Sequence, residues 1–196
     1  AGAVVVANLP RLYRGLGVAR VTVLGALVLA LGVLGWALAA APWHLFAAAL
    51  ASGAGWVAMG AAAVNALIAP WFERRRPAAL GMAYNGASLG GVIFSPLWIA
   101  LIAGIGFVAA ALAVGGVMVL AVGLLALGVF RRTPESLGQG PDGAAPVARI
   151  VASAAPLPRR SLRRDRRFVT LAAGMMLGLF AQIGLLAHLF SLLVPV

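Results

Sequence analysis

NALIAPWFERRRPAALGMAYNGASLGG, residues 65–91, sets one tight charge cluster, Glu73 with Arg74, Arg75 and Arg76, between two long apolar runs. The second run opens with glycines and a few small polar residues. A short arginine-bearing loop between apolar segments marks the cytoplasmic turn of a membrane hairpin, because carrying a guanidinium across a bilayer is costly. The stretch therefore predicts an all-α integral membrane protein.

Composition points the same way. Hydrophobic residues make up 63% and charged residues 10% of the chain, with a mean hydropathy of +1.06. A soluble domain carries roughly a quarter charged residues. All of the 15 basic residues are arginine, and the net charge is +11. That charge does not indicate a nucleic-acid partner. The arginines fall at 11–20, 74–76 and 131–167, separated by uncharged apolar segments, instead of gathering on one soluble face with interleaved aromatics. The chain has no cysteine, which excludes disulfides and thiolate metal sites. It starts with alanine and no signal peptide precedes the first apolar run, so it is expected to begin inside a longer protein.

A helix needs about 20 apolar residues to cross a bilayer. Residues 1–9 are too short and read as the tail of a helix, followed by a basic loop, PRLYRGLGVAR. Complete spans are expected at about 21–40, 44–69, 78–103 and 107–130, the four complete helices of a partial N-terminal bundle covering 1–130. Residues 131–167, rich in Pro, Gly, Ser and Arg, read as a cytoplasmic linker with little to pack against, and 168–196 as the first helix of a second bundle. Charged loops at 11–20, 70–77 and 131–167 alternate strictly with uncharged turns at 41–43 and 104–106. That alternation puts the charged loops inside and the uncharged ones outside, a multi-pass topology in the inner (plasma) membrane with lipid as the constant partner. Arg74, Arg75 and Arg76 then serve as topology anchors, or also pair with acidic groups of a neighbouring domain.

Polar residues show which helices could line a pathway. The spans at 21–40 and 107–130 are nearly free of polar side chains and read as outer supports. The span at 78–103 differs. With Asn85 at zero, Ser88, Ser95 and Gly81 lie at about 300°, 280° and 320°, while Gly86 and Gly90 lie at about 100° and 140°. One face is polar and the other small. Gly86 and Gly90, with Gly81, suit close helix packing, whereas Asn85, Ser88 and Ser95 suit a neighbouring helix or a watery cavity. Pro96 is expected to bend this helix. In the second span, Ser52 and Asn65 are about 220° apart and cannot share a cavity on a straight helix. In the last segment Gln182 lies at pathway depth, and His188, near the outer surface, is a further pathway candidate. Enzyme signatures are missing: Leu50 stands where a Gly-x-Ser-Gly context around Ser52 needs glycine, and there is no HExxH, phosphate-cradling loop or paired acids in a span. Neither a cofactor nor a metal is expected.

WFERRRPAALGMAYNGASLGG resembles the loop between the fourth and fifth helices of major facilitator superfamily (MFS) transporters, most closely the monocarboxylate-transporter-like branch. Trp71, Phe72, Arg75, Arg76, Ala79, Gly81, Gly86 and Gly90 carry that likeness. GLGVARVTVLG resembles the end of the family's loop between helices two and three, through Gly17 and Arg20. AQIGLLAHLFSLL resembles its seventh helix, through Gly184, His188 and Leu189. Two positions depart from the pattern: Asn8 to Arg14 contains no acid, and Gly106-Phe107-Val108 replaces Gly-Trp-Arg. The resemblance implies a partial MFS fold from the end of helix two to helix seven. It also implies a secondary active transporter that moves a small-molecule substrate, an organic anion such as a monocarboxylate, by alternating access and proton symport. The alternative is a non-transporting membrane protein, a sensor, scaffold or transporter remnant. The oligomeric state stays open.

Overall fold

The computed structural model describes residues 2–143 and 165–193. These are helical, with no strand among them, and the chain divides into two compact units, 1–147 and 148–196. The first unit contains α1 (Gly2–Leu16), α2 (Val18–Ala37), α3 (Pro42–Met59), α4 (Ala61–Ile68) and α5 (Arg76–Leu125), the last continued by a π-turn at Ala126–Phe130. The second contains α6 (Arg166–Leu193). Four helical stretches are long and apolar enough to cross a bilayer: Val18–Ala37, Pro42–Ile68, Arg76–Phe130 and Arg166–Leu185. The expected all-α membrane bundle is therefore what the chain forms.

The third stretch, at 55 residues, would be about 82 Å long as one straight helix. That is more than twice a bilayer core. Gly106 interrupts it, with φ 79° and ψ 163°, a conformation open in practice only to glycine. Trp98 and Phe107 are nine positions apart, yet their rings approach to 6.2 Å edge-on across this break. Gly17 has nearly the same backbone, φ 80° and ψ 155°, and separates α1 from α2. A single glycine thus does what a loop would do.

Several local expectations change in this light. The stretch at 11–20 is not an open loop, because α1 runs through Pro10 to Leu16 and only Gly17 leaves the helical conformation. Arginine is a good helix former, and Arg11 and Arg14 remain exposed on that helix. The second span is broken at Gly60 (ψ −154°) into α3 and α4. The chain stays helical through Pro96, and it breaks at Gly106, within the turn expected at 104–106.

Packing in the first unit centres on α2, which buries Ala19, Val21, Thr22, Gly25, Ala26 and Gly32 among its neighbours α1, α3 and the second half of α5. An all-apolar helix can lie outside or between others. Here small residues put it between. A Cβ built on Gly32 would meet the Ser52 Cα at 2.7 Å, and one on Gly25 the Ala58 Cβ at 2.9 Å. Gly55 approaches the Leu29 backbone just as closely. On the other side, a Cβ on Gly115 would touch the Ala30 Cβ at 3.2 Å, which brings the second half of α5 against α2. Leu9, Val21 and Ala58 close the core between α1, α2 and α3.

Candidate functional site

The polar face of the first half of α5 is the candidate site, on a helix that is exposed on nearly every side there. Asn85, Ser88 and Ser95 are exposed on it. Ser95 Oγ donates to the Gly91 carbonyl at 2.6 Å, the usual way for a serine to satisfy itself inside a helix. Asn85 and Ser88 make no hydrogen bond among the described residues. At the edge of the same face stands Tyr84, at about 260° on the wheel defined by Asn85. Its hydroxyl accepts a hydrogen bond from Asn65 Nδ2 of α4 at 3.0 Å, and that amide also donates to the Ala61 carbonyl at 2.8 Å. Asn65 and Tyr84 were not among the candidates; the clue was their placement on facing sides of the 65–91 hairpin.

Ser52 has a different role. Its Oγ accepts from Trp36 Nε1 at 3.2 Å and donates to the Ala49 carbonyl at 3.3 Å, so it faces α2 while Asn65 faces α5. Among the described residues, no neighbour lies within 4 Å of a Cβ built on Gly81, Gly86 or Gly90. Close glycine packing occurs between α2 and α3 instead. In the second unit, Gln182 and His188 are exposed on α6. Gln182 ends a row with Thr170, Gly174 and Gly178, four residues apart, along a shallow groove of about 540 Å³ on this one helix. Thr170, Gly174 and Gly178 were not foreseen, although spacing of four is the sequence signal for a shared helix face.

At one end of the first unit the three basic segments meet. A cleft of about 730 Å³ is lined by Gly17 and Arg20, by Trp71 and Phe72, and by Arg131 and Arg132. Arg74 and Arg75 are exposed in the adjoining loop. Arg76 folds back: its Nε donates to the Phe72 carbonyl at 3.0 Å and its Nη2 to the Ala69 carbonyl at 3.1 Å. It thus satisfies carbonyls at the end of α4 that no helical N–H can reach.

Residues 131–143, the described start of the expected cytoplasmic linker, do find packing partners. Pro134 is fully buried, and Thr133 and Ser136 bond each other. Pro141-Asp142-Gly143 makes a turn with Asp142 at φ 59°. Its N–H donates to the Trp71 carbonyl at 2.8 Å, and its carboxylate accepts from the N–H groups of Arg74 (2.8 Å), Glu73 (3.2 Å) and Arg75 (3.4 Å). Successive N–H groups make a small anion-binding nest. The Arg74 N–H is the main cause that holds the Asp142 carboxyl below the usual carboxylate range, with Glu73 and Arg75 adding to it against the opposing effect of desolvation. Residues 144–164 and 194–196, the remainder of the expected linker and the chain's end, lie outside the described residues.

No cluster of possible metal ligands occurs among the described residues. A sequence model of the Major Facilitator Superfamily matches residues 10–196. No curated protein and no solved structure matches the chain.

Proposed function

Since the chain belongs to the Major Facilitator Superfamily, whose members are small-solute transporters and not enzymes, we propose that it works in a secondary active transporter of the monocarboxylate-transporter-like branch. The solute in this reading is a small organic anion, a monocarboxylate or dicarboxylate, carried by alternating access together with a proton. The basic loops face the cytoplasm of the plasma membrane. Asn85, Ser88 and Ser95 line the pathway on α5, with Tyr84 at their edge, and Gln182 lines it on α6.

The observation that supports this reading is the open polar face of α5. Polar side chains at membrane depth need a partner or water, and Asn85 and Ser88 have no hydrogen-bond partner among the described residues. No arginine or carboxylate lies at mid-depth in the described spans, so neutral hydrogen-bonding groups orient the solute here. Reconstituting the full-length protein in vesicles and imposing a pH gradient tests the function directly. Uptake of monocarboxylates that responds to the gradient supports it. Absence of flux across a broad panel of small metabolites leaves a non-transporting sensor or scaffold. The pathway has its own test, to which these 196 residues add no background thiol. Ser88→Cys, on the polar face, is expected to react with a water-soluble thiol reagent, and Gly86→Cys, on the opposite face that lipid covers, is not; equal labelling removes the two-face arrangement.

A further inference from the structure

The basic cleft does not end at the loops. A second groove, of about 470 Å³, shares Leu16, Ala19, Arg20 and Arg131 with it and runs on between α2 and the second half of α5. Its walls beyond the arginines are wholly apolar, made by Val23, Leu24, Gly123 and Leu127. Gly123 to Arg131 spans about 12 Å of helix, so the groove reaches from the charged end well into the hydrocarbon layer. Together the two form one slot with a cationic mouth and an oily channel.

We propose that this slot holds an anionic phospholipid, with its phosphate between Arg20 and Arg131 and one acyl chain along Val23, Leu24 and Leu127. Three observations favour that occupant over others. Every charged residue that lines the two clefts is an arginine: Arg20, Arg131 and Arg132. None of the three guanidinium groups has a hydrogen bond or carboxylate partner among the described residues, although guanidinium geometry is well matched to phosphate oxygens. The apolar channel is continuous with the cationic mouth, which a soluble anion would leave unfilled. The acids of the first unit, Glu73, Glu135 and Asp142, line neither cleft, although Glu135 follows Arg131 by one turn of chain, and Asp142 is engaged with the 73–75 backbone. A lipid seated there would join α2 to α5 at the end where Gly17 and the π-turn leave the backbone least regular.

The test uses the full-length protein in nanodiscs of phosphatidylcholine mixed with phosphatidylglycerol, and counts by native mass spectrometry the lipids retained after release. Wild type is expected to retain phosphatidylglycerol in preference to phosphatidylcholine. Arg20→Gln with Arg131→Gln should cut that retention about tenfold or more, since each arginine near a membrane surface contributes on the order of 1 kcal/mol. Arg11→Gln with Arg14→Gln removes the same charge from the exposed face of α1 and should leave retention unchanged; an equal loss means general surface charge and overturns the site. Gly123→Leu fills the channel without touching charge. No atom outside its own helical turn lies within 4 Å of a Cβ built there, so the new side chain enters the groove without a clash at its first carbon. It should also reduce retention. Unchanged retention in Gly123→Leu, or displacement of the lipid by inorganic phosphate alone, would show a soluble-anion site and defeat the proposal.

Discussion

Asp142 shows how much one side chain can arrange. Its carboxylate closes the nest made by the N–H groups of Glu73, Arg74 and Arg75, while its own N–H reaches the Trp71 carbonyl. A turn 12 residues beyond Phe130 is thereby tied to the loop between α4 and α5. Asp142→Ala is expected to abolish amide hydrogen-exchange protection at 73–75, and Asp142→Asn, which keeps one acceptor oxygen, to lose part of it. Because the folded pKa is lowered, the tie is fully present above the ordinary carboxylate range and is lost as pH falls through the lower folded value. Exchange at 73–75, corrected for intrinsic rates, should therefore stay protected at neutral pH and open only in acid. In Asp142→Asn it should show no such transition. Arg76 acts in the same loop by a separate route, through the carbonyls of Ala69 and Phe72. Of the three arginines read as topology anchors, it is the one whose guanidinium is hydrogen-bonded among the described residues.

At the scale of the helices, glycine decides both where they break and where they meet. Gly17 and Gly106 turn the chain with one residue each, and Gly25, Gly32 and Gly55 let α2 and α3 approach backbone to backbone. Without a hydrophobic effect between helices in lipid, such small-residue contacts and the dispersion they permit hold the bundle together. Gly55→Ala places a methyl against the Leu29 backbone and is expected to destabilise the first unit by about 1–3 kcal/mol, read as a lower melting temperature in detergent. Gly86→Ala puts a methyl where no neighbour lies within 4 Å and should leave that temperature unchanged or raised. A matching loss in both variants would mean that Gly86 packs against a helix beyond the described residues. Sequence spacing favoured Gly86 and Gly90 because they are four apart. Gly25, Gly32 and Gly55 carry the contact because their partners lie across α2 and α3, which spacing within one helix does not reveal.

For the whole molecule, the distribution of charge is the organising feature. Arg20, the Trp71–Phe72 turn and the Arg131–Arg132 pair line one cleft, although 111 positions separate Arg20 from Arg131 along the chain. Short basic segments on one side of a bilayer are what the positive-inside rule requires. Cysteines replacing Ile105 and Arg132 in the full-length protein give the check in intact cells. Ile105→Cys should label with a membrane-impermeant thiol reagent and Arg132→Cys only with a permeant one; the reverse pattern would invert the topology.

The membrane class, the all-α fold, the family and the polar face at Asn85, Ser88 and Ser95 could all be read from the sequence. The family rests on the motif likeness at 71–91; the others depend on composition or on periodicity along one helix, and a bilayer makes both strict because every backbone group must be satisfied within its own segment. What depended on tertiary structure involves pairs distant in sequence. Asn65 with Tyr84, Ser52 with Trp36, Asp142 with the 73–75 loop and α2 between its neighbours all follow from how helices cross. That crossing is set by close packing between segments, which no local pattern encodes. Residues 65–91 illustrate the division: their arginines and glycines announced a hairpin, and only the folded chain showed Arg76 and Asp142 fastening it from either side.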